Sequence, residues 1–579
     1  MSRLYRFVGV CILAAAAAAV VAPAHADESA TNDRHDDDAG TAAEANGTSA
    51  ADAQVAPPDE ADPEGVLTLP DGTESTARFG EFDYTGIARF VWKDGRSYAG
   101  DFVDGRPQGH GIEQLPDGST YDGGWVDGRH DGQGSMILAD GSRYDGGFAG
   151  GARSGEGLFQ TPSGRYQGEW VDDMPQGNGR FDYVDGASYD GNWMSGRRSG
   201  YGTYRRADGS SYEGDWENDI PDGYGELVEP DGYTYDGGWS RGQRSGYGAM
   251  KIGDTFGYEG TWRANERHGY GREIRPDGGE YVGDWADDQR QGHGVLRTPN
   301  GAEHDGSWER NAPHGDGTRT SAEGIRIVGT WDGDFVSSGA VTLRSGREYR
   351  GALYDATAKS VEAPFVDWLE KAGNEGDVDA ALLLGQAYRY FVQPAPDRAK
   401  ALQWYGRAAD AGVAEAQYQL AELLLEDSAS TQRALDLLQL AAAQGHASAN
   451  TRLGMFFQLG THVRKNHAQA QHYYEVATIQ GDLTARNNLA WLLATSPSAD
   501  LRNGARAVTL AQPLAVLYDS WGYLDTLAAA QAEAGNFAAA SRTERKAVDL
   551  AQAQVSPTTL RELEQRLTLF QRDEPYREP

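Results

Sequence analysis

A serine between two glycines is the first candidate for covalent chemistry in this sequence. The stretch GWSRG at 238–242 fits the pattern Gly-x-Ser-x-Gly, in which serine hydrolases carry their nucleophile on a turn from a strand to a helix. The surrounding residues recur along the chain, and the position of Ser240 is taken by Val126, Ala286 and Glu309 in other copies. A nucleophile does not share its position with such side chains, so this stretch is interpreted as a hairpin turn.

Other reactive patterns are also missing. The many Gly-x-Gly pairs are not followed by Lys-Ser or Lys-Thr, as phosphate-binding loops are. Aspartates of Asp-Gly pairs recur once per repeat and do not converge as calcium ligands must. Histidines such as His110 and His293 lack metal-ligand spacing, and Cys11 is the only cysteine. The sequence predicts no catalytic residue, no metal site, no cofactor and no enzyme activity.

A five-residue pattern, Tyr-x-Gly-x-Trp, recurs twelve times between Tyr98 and Tyr349, in steps of 23 or 22 residues. In a strand its tyrosine, glycine and tryptophan share one face, because side chains alternate. We expect these rings to form the core of a thin sheet; the alternative is an exposed aromatic ladder that stacks on sugar rings. The predicted core aromatics are Tyr121, Trp125, Tyr166, Trp170, Tyr189, Trp193, Tyr212, Trp216, Tyr235, Trp239, Tyr258, Trp262, Tyr281 and Trp285.

The residues between these patterns favour hairpins. A glycine-containing turn and a second short strand follow each aromatic strand, as in "VDGRHDG" at 126–132 and "GSMILAD" at 134–140. An Asp-Gly pair, such as Asp117-Gly118, then leads into the next copy and supplies the positive φ that such turns require. We expect an antiparallel meander with one hairpin per repeat, in which the pattern glycine makes room for the next repeat's ring.

These residues together resemble the membrane occupation and recognition nexus (MORN) repeat. The matching features are Tyr-x-Gly-x-Trp, then Gly-x-Gly as at 132–134 and 223–225, then Asp-Gly. The resemblance covers about Val66 to Tyr354 and implies a long, curved, single-layer antiparallel sheet. Members are mostly regarded as scaffolds, and the family's name suggests an association with membranes.

Beyond Leu353, glycine gives way to alanine and leucine at helical spacing, as in "AALLLGQAYRY" from Ala380. Glycines at Gly412, Gly445 and Gly481 fall where the second helix of each predicted pair should end. The sequence therefore predicts an all-α array of helix pairs after the sheet.

Three of these helix pairs resemble Sel-like repeats, a branch of the tetratricopeptide superfamily, over about 364–486. The fullest copy has Leu384, Gly385, Tyr388, Trp404 and Tyr405 at the motif positions. Residues 487–555 resemble ordinary tetratricopeptide units, and 556–579 fit a capping helix and tail. Such solenoids present a groove lined by first helices, which is suited to a peptide or helix. We expect this half to fold alone and to bind the partner, with Tyr388, Tyr418, Arg389 and Asn450 as candidate contacts.

The first residues resemble an export signal. Arg3 and Arg6 precede an apolar run that ends at Pro23, and "AHA" at 24–26 is a small-x-small cleavage site. Residues 27–65 are acidic and poor in aromatics, which predicts a disordered linker. We expect a Sec-type signal peptide that is cleaved after Ala26 and a periplasmic protein.

The charge limits the choice of partners. The chain has 52 basic and 87 acidic residues, for a formal net charge of −35. Such a field repels nucleic acid and anionic lipid, so neither is expected to bind. The function predicted is an exported scaffold for protein–protein interactions in the cell envelope, with partners whose identity the sequence does not give. The alternatives are a cell-wall glycan-binding module and the lipid association that the MORN resemblance suggests.

The predicted organisation is a signal peptide, an acidic linker, a hairpin sheet, a short linker, Sel-like repeats, tetratricopeptide-like repeats and a terminal cap. Their ranges are 1–26, 27–65, 66–354, 355–363, 364–486, 487–555 and 556–579.

Overall fold

A computed structural model describes residues 64–253, 256–392, 395–518 and 520–578. The predicted signal peptide and almost all of the predicted acidic linker lie outside these residues. The chain divides into two compact units, whose described residues are 64–246 and 247–578. The division falls inside the hairpin array and not at the predicted linker 355–363. In the described residues, no helix is both long and apolar enough to cross a membrane.

The described residues of the first unit form strands joined by turns. They are β1 (Glu64–Thr68), β2 (Glu74–Arg78), β3 (Gly86–Trp92), β4 (Ser97–Val103), β5 (Arg106–Gln114), β6 (Thr120–Val126), β7 (Arg129–Ile137), β8 (Arg143–Ala149), β9 (Ala152–Thr161), β10 (Gly164–Val171), β11 (Met174–Tyr183), β12 (Ser188–Met194), β13 (Arg197–Arg205), β14 (Ser211–Glu217), β15 (Ile220–Val228) and β16 (Tyr233–Ser240). From β3 to β16, each strand pairs antiparallel with the next one in the sequence.

The meander continues in the second unit. Its strands are β18 (Phe256–Arg263), β19 (Glu266–Ile274), β20 (Glu280–Ala286), β21 (Gln289–Arg297), β22 (Glu303–Glu309), β23 (Ala312–Thr320), β24 (Arg326–Asp332), β25 (Phe335–Thr342), β26 (Glu348–Ala352), β27 (Tyr354–Asp355) and β28 (Ser360–Val361). The division between the units falls within β17 (Gln243–Ile252). From β18 to β26 the pairing is again antiparallel between consecutive strands.

Where an aromatic strand pairs with the strand that follows it, the register shifts at the same place. In β6 and β7, Gly123 lies opposite Gly134, and the register then shifts so that Trp125 lies opposite His130. One residue of β6, Gly124, therefore lies opposite three residues of β7, Asp131 to Gln133, and the bulge is in β7. The same shift recurs in the other repeats, for example between Gly214 and Trp216 in β14. A bulge twists its strand, so each repeat adds the same local twist to the sheet.

Two kinds of turn join the strands. After the aromatic strands of the repeats from Tyr98 to His304, a two-residue turn has positive φ at both positions, as at Asn218 (50°) and Asp219 (72°), which suits the right-handed twist of hairpins. Before each aromatic strand lies the Asp-Gly turn. Gly118 has a φ of 96°, and the Asp117 carboxylate accepts a hydrogen bond of 2.8 Å from the Ser119 backbone N–H. The positive φ expected at this glycine is confirmed.

The helices follow the last strands of the second unit. They are α1 (Ala363–Asn374), α2 (Val378–Tyr390), α3 (Arg398–Asp410), α4 (Ala414–Leu424), α5 (Thr431–Ala443), α6 (Ala447–Leu459), α7 (His467–Ile479), α8 (Leu483–Thr495), α9 (Gly504–Leu517), α10 (Trp521–Glu533), α11 (Phe537–Ala551) and α12 (Pro557–Phe570). Consecutive helices pack against each other. The predicted fold class, a hairpin meander followed by an α-solenoid, is confirmed.

Small residues let these helices approach closely. A Cβ atom at Gly385 would lie 2.4 Å from the Tyr405 ring, and one at Gly454 would lie 2.5 Å from Tyr474. Gly412, Gly445 and Gly481 each lie two residues beyond the end of a second helix, at φ values of 91°, 82° and 86°. The predicted helix ends are confirmed.

One hydrophobic core joins the last hairpins to the first helices. The buried residues Trp331, Val341 and Leu353 of the strand region belong to the same cluster as Phe365 and Leu369 of α1. The predicted linker 355–363 contributes to this core, because Val361 in β28 is 7% exposed. Residues 355–363 therefore do not separate two cores, and a fragment that starts near Pro364 would lose part of its own core.

We expect Trp216→Ala to destabilise the sheet by ~3–5 kcal/mol, the usual cost of truncating a buried tryptophan. Trp216 is 3% exposed and its indole N–H donates to the Gly202 carbonyl at 3.1 Å. The measurement is the urea midpoint of the full chain. The control is Tyr201→Ala in the neighbouring strand, where the side chain is 56% exposed and a change within ~0.5 kcal/mol is expected. A wild-type midpoint for Trp216→Ala contradicts this account of the core.

Candidate interaction surfaces

The interior face of the hairpin array depends on a tyrosine that lies across two glycines. A Cβ atom at Gly123 or at Gly134 would come within 2.6 Å of the Tyr121 side chain. The Tyr121 hydroxyl donates to the Gly124 carbonyl at 2.9 Å and so ties the ring to its own strand, opposite the bulge of the next strand. The expectation that the next repeat's ring fills this space is wrong. The ring belongs to the same repeat, because the tyrosine side chain lies along its own strand.

The tryptophan connects each repeat to the one before it. The Trp125 indole N–H donates to the Gly111 carbonyl at 3.1 Å, and the same bond, 14 residues back, recurs in six further repeats. Trp125 also contacts Tyr98 and Tyr121 edge to face, with ring centroids 4.9 and 5.5 Å away. Each tryptophan thus packs between its own tyrosine and that of the preceding repeat.

All fourteen predicted core aromatics lie in this interior, each with 8% or less of its surface exposed. They are Tyr121, Trp125, Tyr166, Trp170, Tyr189, Trp193, Tyr212, Trp216, Tyr235, Trp239, Tyr258, Trp262, Tyr281 and Trp285. Burial raises the pKa of these tyrosines well above the usual value, as at Tyr121 and Tyr212. None of these rings offers a free face on which a sugar could stack.

Buried arginines form a second link between repeats that the sequence analysis missed. The Arg198 side chain is 4% exposed in total and lies 4.4 Å from the Trp216 ring centroid. Its Nε and backbone N–H both donate to the Asp219 carboxylate in the next two-residue turn, at 3.1 and 2.9 Å. Arg153 and Arg267 make the same pair with Asp173 and Asp288. The signal in the sequence is an arginine that recurs at multiples of about 23 residues, ahead of a polar turn.

The opposite face of the hairpin array is polar and exposed. The middle residue of each Gly-x-Gly lies on this polar face. The Asp215 carboxylate caps one of the bulges on this face by accepting a hydrogen bond of 2.9 Å from the Tyr224 backbone N–H. In the first unit this face holds a shallow depression of about 540 Å³ that includes Asp122 and Asp145. Asp122 lies 3.1 Å from a ring nitrogen of His110, and Asp145 forms an ion pair with Arg143 at 2.7 Å.

The four predicted contacts on the helices occupy different environments. Tyr388 is 5% exposed and hydrogen bonds to Glu370, and Lys400 Nζ donates to its hydroxyl at 2.9 Å. Asn450 is 2% exposed, and its amide donates to the Ala442 and His446 carbonyls at 3.2 and 2.9 Å. This geometry assigns Tyr388 and Asn450 to the packing between helices rather than to an exposed surface.

Arg389 and Tyr418 are half-buried in one polar network across first helices. The Arg389 guanidinium donates to the Gln419 side-chain oxygen at 2.6 Å, and the Gln419 amide donates to Glu415 at 2.7 Å. His446 hydrogen bonds to Glu415 at 2.8 Å and stacks on the Tyr418 ring at 4.8 Å. The structure thus brings two of the four candidates together, through partners the sequence analysis did not name.

The most strongly perturbed carboxylates are enclosed. Burial raises the pKa of Glu544 well above its usual range, and the neighbouring Asp525 raises it further. Arg566 binds both Asp525 oxygens, at 2.7 and 2.9 Å, and Glu544 is 0% exposed. No substrate reaches this cluster in the closed helix packing, so its role is structural.

The remaining chemical candidates belong to turns. Ser240 ends strand β16 and is followed by Arg241 and Gly242 with positive φ, which is a hairpin turn and not the start of a helix. Within the described residues, no three His, Cys, Asp or Glu side chains converge as metal ligands.

Both repeat families match this chain directly. Ten segments match the model of the MORN repeat, at 98–120, 121–143, 144–164, 166–188, 189–211, 212–232, 235–254, 258–280, 281–303 and 304–326. Three segments match the Sel1 repeat, at 378–413, 414–446 and 447–482. The chain carries ten MORN repeats and three Sel1 repeats. The recognition of both families from the sequence is confirmed, and each Sel1 segment covers one helix pair, starting at α2.

The similar proteins of known name or structure match only parts of this chain. The Mus musculus protein named DAP3-binding cell death enhancer 1 is 34% identical over 107 residues, which are 18% of this chain and 21% of the mouse protein. A protective antigen with an SLR fold from uropathogenic Escherichia coli is 22% identical over 32% of this chain and 40% of its own, with a TM-score of 0.27. A Sel1 repeat protein from Oxalobacter formigenes is 22% identical over 34% of this chain and 58% of its own, with a TM-score of 0.27. This chain therefore spans about a fifth of the curated relative and about half of these solved chains.

One MORN repeat replaces the tyrosine by His304. This ring is 3% exposed, and neither of its nitrogens has a hydrogen-bond partner among the described residues. It packs edge to face against Trp308 and Trp331, with centroids 5.3 and 5.2 Å away. Burial, with the Arg319 charge nearby, lowers the pKa of His304 to about 3. The repeat therefore folds around a neutral imidazole.

We expect His304→Tyr to stabilise the protein and to reduce the loss of stability that occurs when the pH is lowered. The pKa of His304 is about 3 in the folded protein and 6.5 as the ordinary value. Between pH 3 and pH 6.5 the imidazole is therefore protonated in the unfolded chain and neutral in the folded one. The wild-type stability is complete above pH ~6.5 and falls towards pH 3, by up to ~1.4 kcal/mol per pH unit. The measurement is the urea midpoint at pH 7.5 and 4.5, with the exposed His110→Tyr as control. An equal acid loss in wild type and His304→Tyr contradicts the assignment.

Proposed function

We propose that this protein is an exported, non-enzymatic scaffold for protein–protein interactions in the cell envelope. The observation that carries the proposal is the shared core of the second unit, in which the last MORN hairpins and the first helices fold as one body. A scaffold needs this property, because partners on different repeats keep a fixed distance only if the repeats do not move separately.

Ion pairs reinforce the same junction. Arg344 in the turn after β25 binds Asp379 of α2, with its backbone N–H and Nε each donating at 2.8 Å. Arg347 of the same turn pairs with Glu375, which lies between α1 and α2, at 2.6 Å. Further along, the Arg486 guanidinium of α8 donates to the Pro276 carbonyl in an Asp-Gly turn at 3.0 Å. Contacts at the start of the helical array and at α8 therefore tie it to hairpin turns of its own unit.

The helical array is the proposed docking region for the main partner. Its outer surface exposes large apolar side chains that its own packing does not use, including Leu459 (58%) and Ile479 (78%). The half-buried network of Arg389 and Tyr418 adds polar groups on first helices. Exposed apolar groups beside polar ones are typical of protein interfaces.

Export is proposed from the sequence of the first 26 residues. Intact mass and N-terminal sequencing of protein from envelope fractions should give a chain that starts at Asp27. A mature protein that retains Met1 contradicts both the signal peptide and the periplasmic location.

Photocrosslinking in intact cells tests the scaffold itself. A photoreactive amino acid replaces Leu459 or Ile479 on the helices, and Val171, which is 50% exposed on β10, serves as the matched hairpin position. We expect a discrete protein adduct from the helical positions and none from Val171. Adducts from Val171 alone would move the docking region to the hairpins, and an absence of protein adducts at all three positions contradicts the scaffold.

A further inference from the structure

Two exposed tyrosines stand side by side on the polar face of the first unit. Tyr201 in β13 and Tyr224 in β15 are 56% and 58% exposed, at the middle of their Gly-x-Gly segments. Other first-unit repeats have polar or charged residues there, such as Gln133 and Glu156. Aromatic rings of this size are seldom left in solvent, and they are enriched in binding surfaces.

Three carboxylates form a row beside these rings. Glu213, Glu226 and Asp236 lie directly opposite one another on β14, β15 and β16, and all three are exposed. The Tyr201 hydroxyl donates to Glu213 at 2.8 Å, and hydrogen bonding to Asp236 raises the pKa of Tyr224. Like charges opposite each other on a sheet are destabilising. Among the described residues, no Lys, Arg or His side chain forms an ion pair with these three.

The depression near β6 and β8 on the same face is different. There Asp145 is ion-paired with Arg143 at 2.7 Å, and Asp122 lies 3.1 Å from a ring nitrogen of His110. The second unit provides a closer comparison. Tyr247 and Tyr270 are both 64% exposed at the same repeat position. The residues that correspond to Glu213, Glu226 and Asp236 beside this pair are Glu259, Arg272 and Val282. Of these two exposed tyrosine pairs, the first-unit pair is the one that combines its rings with a row of three carboxylates that have no ion-pair partner among the described residues.

The spacing of the two rings selects the shape of a ligand. Tyr201 and Tyr224 are two strands apart, which is about 9.6 Å at the usual distance between strands. A polyproline II helix has three residues per turn and rises about 3.1 Å per residue, so side chains at i and i+3 share a face and are about 9.3 Å apart. Lysine or arginine at those positions would meet one ring each and the carboxylates beside it, combining cation–π attraction with charge complementarity.

We propose that Tyr201, Tyr224, Glu213, Glu226 and Asp236 form a docking surface for an extended, polyproline-II-like basic segment of a partner protein, with Lys or Arg at every third residue. This inference rests on the proposed scaffold role and gives it a second surface and a partner class. The test uses purified protein and synthetic peptides, so its result is independent of the crosslinking on the helices.

The probes are two fluorescein-labelled peptides of equal composition, (Lys-Pro-Pro)5 and Lys5Pro10, whose binding to the full chain is measured by fluorescence anisotropy at 50 mM NaCl. We expect (Lys-Pro-Pro)5 to bind at least about fivefold more tightly, and 300 mM NaCl to weaken its binding. Tyr201→Ala with Tyr224→Ala should weaken binding at least about fivefold. The triple change Glu213→Gln, Glu226→Gln and Asp236→Asn should do the same.

Two matched variants are expected to stay within about twofold of wild type. Tyr201→Phe with Tyr224→Phe keeps the rings, and Tyr247→Ala with Tyr270→Ala removes the exposed pair that lacks the carboxylate row. Equal affinity for both peptides, or an equal loss from both alanine pairs, overturns the proposal in favour of unspecific charge attraction. Wild-type binding by Tyr201→Ala with Tyr224→Ala also overturns it, as does tyrosine-dependent binding of a neutral wall oligosaccharide without any peptide binding.

Discussion

The hairpin array depends on the contact between one tyrosine ring and two glycines. In the repeat of Tyr121, Gly123 and Gly134 face each other across the strand pair, and the ring fills the space that Cβ atoms would occupy. A sheet without a second layer has no opposite face to bury its side chains, so the ring must cover its own backbone. The large aromatic and the smallest residue are therefore required together, and this explains why they recur together.

The same contact decides which face of the sheet is free to bind. Once the tyrosines and tryptophans are used for the interior, function falls to the residues between the glycines, which project from the other side. These positions are not constrained by packing and differ from repeat to repeat, from His110 through Glu156 to Tyr201. An array of this kind has one face whose residues are restricted by packing and one face whose residues are free to vary for recognition.

The junction with the helices solves a second problem of repeat proteins, which is the exposed end of an array. In the last hairpins Ile327 replaces the tyrosine of one copy and Leu353 replaces the tryptophan of the next, and these aliphatic residues pack in one cluster with α1 and α2. The helices thus cover the end of the meander while the meander completes the core of the first helix pair. Each of the two arrays therefore covers an end of the other that would otherwise be exposed.

The sequence by itself determined the hairpin and helix-pair repeats, their period and the faces of the aromatic strands, because these follow from local alternation, glycine positions and helical spacing. It also argued against a serine nucleophile in the Gly-x-Ser-x-Gly stretch at 238–242, because other side chains take the position of Ser240 in other repeats. Only the tertiary structure decided that the bulge recurs, that Arg198 pairs with the next turn, that residues 355–363 belong to a core, and that Asn450 is buried. It also placed the tyrosine of each repeat over its own glycine and left Tyr201 and Tyr224 exposed. These features depend on which residues of distant repeats meet across strands and helices, and a one-dimensional pattern does not contain that register.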